Sequence, residues 1–179
     1  MIKRLILAAL LTASLPAAAV AQTASRCMPN DEAAGLVTFA LPTLVERLAE
    51  RCRPTLPGNA YLSASSVAIA DRYRADAASA WPVARKALEK LFDQFMGQPM
   101  PADFNSELAR QLAGPMIATL LAEKVKTEDC AAASQTLETL TRLSGRETGR
   151  LVALAAAVAD RKGDGIAGAL RVCKPGMTR

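Results

Sequence analysis

Four cysteines, Cys27, Cys52, Cys130 and Cys173, are spread along a chain of 179 residues, and they restrict its fold more than any other feature. Two sulfurs can join only where their Cα atoms come within about 7 Å. Thiolate metal sites draw on closely spaced cysteine pairs, and these four positions are not paired in that way. In an exported chain an even count of separated cysteines therefore reads as two disulfides.

The N-terminus supplies the export signal. Met1-Ile2-Lys3-Arg4 is a charged n-region, Leu5 to Leu15 is an apolar run, and Ala19-Val20-Ala21 satisfies the small-x-small rule for cleavage before Gln22. The apolar run is shorter than the roughly 20 residues needed to cross a bilayer. Residues 1–21 are expected to be a cleaved signal peptide and residues 22–179 a single domain, periplasmic or secreted, with no transmembrane segment. Cys27 lies well beyond Ala21, which argues against a lipoprotein.

Composition beyond residue 21 selects the fold class. There are 30 Ala and 18 Leu against 8 Val and 3 Ile, so strong helix formers dominate and the β-branched residues a sheet favours are scarce. Only seven aromatic residues are available to fill a core (one Trp, two Tyr, four Phe), which implies close helix contacts through Ala. The expectation is all-α: a single compact helical bundle of five to seven helices, several kinked at Pro, closed by two disulfides.

Punctuation places the helices. A first helix over residues 31–51 is capped at Asn30 or Asp31, and its apolar stripe stays in phase across Pro42. A second stretch starts at Ser63, with Ser65 and Ser66 beside it, and carries Val67, Ile69, Ala70 and Tyr73. It reaches Trp81-Pro82 and continues through Val83, Ala84, Ala87, Leu88, Leu91, Phe92 and Phe95. Asp103 can cap a further helix with Leu108, Leu112, Met116, Ile117, Leu120, Leu121 and Val125 as its apolar positions, kinked at Gly114-Pro115. The next begins at Thr127 and ends at Ser144-Gly145, with Ala133, Leu137, Leu140 and Leu143 inward. Residues 147–160 form another, Gly163 to Gly165 turns, and residues 166–173 form a short last helix.

Helix length then narrows the sulfur pairing. A helix over residues 31–51 is roughly 30 Å long, so Cys27 and Cys52 lie at opposite ends and do not pair. If residues 63–96 form one bent helix and successive helices alternate in direction, the pairs are Cys27–Cys173 and Cys52–Cys130. A reversal at Pro82 would give Cys27–Cys130 and Cys52–Cys173. No Gly or Asn between Ser79 and Pro82 allows the backbone to reverse, which favours the bend and the first pattern.

The chemistry is defined chiefly by what is missing. The chain has no His, so a His-based triad or His metal ligation is excluded. Neither a Ser-x-x-Lys motif nor a complete calcium loop is present. No cofactor and no metal site is expected. Loss of Lys3 and Arg4 with the leader would reduce the net charge from +5 to +3. The basic residues are interspersed with acids, which argues against nucleic-acid binding.

One polar and aromatic cluster stands out. Asp71, Arg74 and Arg85 could border a groove floored by Tyr73 and Trp81, with Arg72 and Asp76 as an i,i+4 pair. These five, Asp71, Tyr73, Arg74, Trp81 and Arg85, are the candidate binding residues; the competing account is a core Trp beside a solvated face. The expected function is a non-catalytic protein acting by contact with a protein or envelope partner. The alternatives are a small apolar ligand held where the proline kinks part the helices, and a hydrolase relying on Asp or Glu alone.

Overall fold

A computed structural model describes residues 27–101, 107–159 and 172–173. Five α-helices account for most of them: α1 (Asn30–Cys52), α2 (Tyr61–Met96), α3 (Glu107–Glu123), α4 (Cys130–Leu140) and α5 (Gly145–Ala159), with a 3₁₀ turn at Thr127–Asp129 before α4. The protein is all-α, and no strand occurs among the described residues. The expected leader and cleavage site, Asp103, and residues 160–171 with their expected turn and most of the last helix lie outside the described residues. Val172 and Cys173 are not helical. Val172 forms an isolated parallel bridge with Met28, and Cys173 N–H donates to the Met28 carbonyl at 2.9 Å.

Prolines 42, 82 and 115 sit inside α1, α2 and α3 respectively. Each lacks the N–H that would bond one turn back, yet the helix continues because packing outweighs one lost bond. Residues 61–96 thus form a single helix with no reversal at Pro82. The consequence is the pairing Cys27–Cys173 and Cys52–Cys130, with Cα separations of 4.9 and 5.6 Å. The closed loops span 146 and 78 residues, and in the chain-entropy account each contributes up to about 5 kcal/mol.

Helix α1 is the centre of the bundle, contacted by α2, α3 and α5. Two clusters form the core. The first joins Leu36 and several alanines of α1 to Ala84 and Ala87 of α2, Ile117 and Leu121 of α3, and Ala153 of α5. The second joins Val37, Leu41 and Val45 of α1 to Leu62, Ile69 and Tyr73 of α2, around the Cys52–Cys130 bridge.

Small residues set the helix spacing. A Cβ at Gly35 would sit 2.6 Å from Val83 Cγ1, and one at Gly149 would sit 2.7 Å from the Ala34 carbonyl oxygen, closer still to the Thr38 hydroxyl. Gly inside a helix costs about 1 kcal/mol relative to Ala. Here it permits α1 to meet α2 and α5 at a distance no side chain would tolerate.

Several helix ends differ from expectation. Helix α1 starts behind Pro29 without a side-chain cap, and Asp31 and Glu32 contribute negative charge to its first turn instead. Helix α2 starts at Tyr61, two residues early, so Ser63, Ser65 and Ser66 fall inside it and do not cap it. Its Leu62 N–H is met by Ser134 Oγ of α4 at 3.1 Å. Between α4 and α5, the expected single helix to Ser144-Gly145 ends at Leu140. Ser144 is the start of α5: its N–H and hydroxyl bond Glu147 at 2.9 and 2.7 Å, and Glu147 N–H returns to Ser144 Oγ at 3.3 Å. That reciprocal arrangement is a capping box, spelled Ser-x-x-Glu in the sequence.

Candidate contact surface

The five singled-out residues of α2 take different roles. Arg74 donates to Asp71 at 2.7 Å and lies 3.5 Å from Glu46 of α1, all at exposed positions. The hydrogen bond to Asp71 drives the Arg74 pKa further up. Arg85 lies 3.7 Å from Glu89 on its own helix. Such exposed pairs contribute little. Tyr73 is 1% exposed and belongs to the second core cluster, whereas Trp81 is half-buried against the first. Its ring meets Phe39 at a centroid distance of 4.9 Å and 44°. The two aromatic rings therefore serve separate cores and do not floor one groove.

Asp76 does not hold Arg72. Its carboxylate accepts from Gly145 N–H at 2.7 Å, where the positive end of α5 favours a negative charge. Arg146 reaches back to Ser79 Oγ at 3.0 Å. Nearby, Tyr73 Oη donates to the Leu140 carbonyl at 3.3 Å and lies 3.4 Å from Thr148 Oγ1, and Thr38 Oγ1 donates to the Ala34 carbonyl at 2.7 Å. These contacts, with the bond from Thr38 Oγ1 to the Gly145 carbonyl at 3.3 Å, dock α5 and the α4–α5 turn onto α1 and α2.

An open depression of about 380 Å³ is lined by Thr55, Thr127, Glu128, Cys130 and Ala131, beside the Cys52–Cys130 bridge. It lies at the start of α4, not at the kinks of Pro42, Pro82 or Pro115, and has none of the Leu, Phe or Trp lining expected of an apolar pocket. Among the described residues no group of three or more His, Cys, Asp or Glu is arranged to hold a metal ion. No described helix is long and apolar enough to cross a membrane.

The outer face of α3 is where the structure departs most from ordinary solvated helices. The apolar positions of this helix divide between two sides. Ala109, Ala113, Ile117 and Leu121 turn inward, while Leu108, Leu112, Met116 and Leu120 are 53–64% exposed. Their spacing of four residues aligns them in one ridge. Gln111 to Ala122 contains no charged residue. A helix apolar all round is normally covered on both sides. Helix α5 adds a second outward set at Leu151, Leu154 and Val158. Heptad-like apolar spacing made α3 recognisable as a helix, but the signal that could have identified its outward face was the absence of any polar stripe. Comparison of the chain with protein-family models, with curated proteins and with solved structures finds no match.

Proposed function

We propose that this protein is an exported, non-catalytic contact protein of the cell envelope, which engages its partner through the outer face of α3. The observation that carries this reading is the charge-free ridge Leu108, Leu112, Met116 and Leu120. Depletion of charge with exposed Leu and Met is the composition of an interface core, not of a solvated surface. The leader-like residues 1–21 and two disulfides support an oxidising, periplasmic or extracytoplasmic setting. The same leader implies a mature chain that begins at Gln22.

A photo-crosslinking amino acid at position 112, expressed in the native host, tests the reading against the same probe at the exposed Arg72 of α2. Adducts in the envelope fraction from position 112 and none from position 72 are expected. Equal labelling from both positions contradicts it. So does turnover of a periplasmic substrate by the purified protein, if one substitution between Asp71 and Arg85 abolishes that turnover without lowering Tm.

A further inference from the structure

The ridge on α3 also indicates its occupant: we infer that it packs against the same ridge of a second copy of this chain, about a two-fold axis between Leu112 and Met116. The inference deepens the contact-surface reading and rests on it.

Three features support a second copy. The first is area. At 53–64% exposure the four side chains present roughly 400 Å² of apolar surface, a size at which the largest patch of a protein is often functional. Two copies would cover roughly 800 Å² from these side chains alone, and Gln111 and Thr119 at the rim carry the total past the about 1,000 Å² of a specific interface.

The second is self-complementarity. An isologous contact requires each position to accept its symmetry mate. In the antiparallel arrangement Leu112 meets Met116 of the second copy and Leu108 meets Leu120 of the second copy, so every position of the ridge meets an apolar one.

The third is chemistry. With no charge between Gln111 and Ala122, antiparallel self-pairing brings no like charges together across its centre.

The test is sedimentation equilibrium of the oxidised mature chain from about 1 to 500 μM, for wild type and Leu112→Glu/Met116→Glu. The inference predicts twice the monomer mass in the upper part of that range and a dissociation constant raised at least about 100-fold in the variant. Both positions are exposed, so helicity and Tm should be retained. Should the variant fail to fold, the wild-type background decides: a photo-crosslinker at position 112 must yield a homodimer whose linked peptide contains Met116. A chain monomeric throughout, or a dimer unaffected by the substitutions, overturns the second copy. If position 112 instead links only to a different protein, the contact surface stands and self-association falls.

Discussion

Gly149 offers a direct test of the packing, because two effects of known size oppose each other at one atom. Gly149→Ala in α5 gains about 1 kcal/mol of helix propensity. The added methyl would lie 2.7 Å from the Ala34 carbonyl oxygen and against the Thr38 hydroxyl. Backbone cannot retreat as a flexible side chain can, so α5 must move away from α1, and overpacking of this kind costs about 1–3 kcal/mol. The movement also loosens the bond that crosses from α1, from Thr38 Oγ1 to the Gly145 carbonyl at 3.3 Å, which contributes about 1 kcal/mol. The balance is a net loss of about 1–3 kcal/mol, or a Tm lower by roughly 3–10 °C for a domain of this size. Thermal unfolding followed by circular dichroism measures it. Gly58→Ala is the control: its Cβ meets nothing within 4 Å, and it should be neutral or stabilising by up to about 1 kcal/mol. Adding Thr38→Ala to Gly149→Ala should relieve only part of the clash, since the Ala34 carbonyl remains. A Gly149→Ala protein that melts above wild type would refute the close α1–α5 contact.

Replacing Cys52 and Cys130 together by Ala reopens a loop of 78 residues; a loss of up to about 4–5 kcal/mol is expected, visible as a Tm fall of 10 °C or more. Ser144→Ala removes the cap of α5 and should cost about 1 kcal/mol. The bonds from Ser144 hold the Glu147 carboxyl below its ordinary value. A lowered folded-state pKa means that this contribution is complete above the unfolded value and is lost as pH falls through the folded one. The Tm difference between Ser144→Ala and wild type should therefore be largest near neutral pH and shrink, without vanishing, as acid protonates Glu147, because the bond from Glu147 N–H to Ser144 Oγ remains; a difference independent of pH would contradict the assignment. Tyr73→Phe keeps the buried ring and loses the bonds to Leu140 and Thr148. Its expected cost is about 0.5–1.5 kcal/mol in denaturant unfolding, against about 3–5 kcal/mol for Tyr73→Ala.

Global features were legible because they follow from helix length and continuity. Helices of known rise separate Cys27 from Cys52, and the absence of Gly or Asn before Pro82 keeps α2 continuous, which together select the disulfide pairs. Helix caps were less legible because partners remote in sequence competed for them. Ser134 caps α2 from 72 residues away, and Asp76 serves α5 from 69 residues away, which removes it from Arg72. The Ser144-x-x-Glu147 box was present in the sequence, but Gly145 beside it reads equally as a helix stop. Tyr73 and Trp81 differ by eight residues, a little over two turns, and the crossing of α1 and α2 sends their rings to separate cores. Val67, on the expected stripe of α2, is 68% exposed, since α1 is met along only part of that face. On α3, apolar residues occupy both sides, and periodicity alone could not show which side α1 would take.

The fold rests on a helical scaffold closed by two sulfur bridges. Mass spectrometry of an unreduced digest, prepared from protein isolated from its native compartment with free thiols blocked, tests it most directly. Linked peptides carrying Cys27 with Cys173 and Cys52 with Cys130, and an N-terminus at Gln22, are the expected result. Blocked thiols at these positions, or linkage of Cys27 to Cys130, would contradict it.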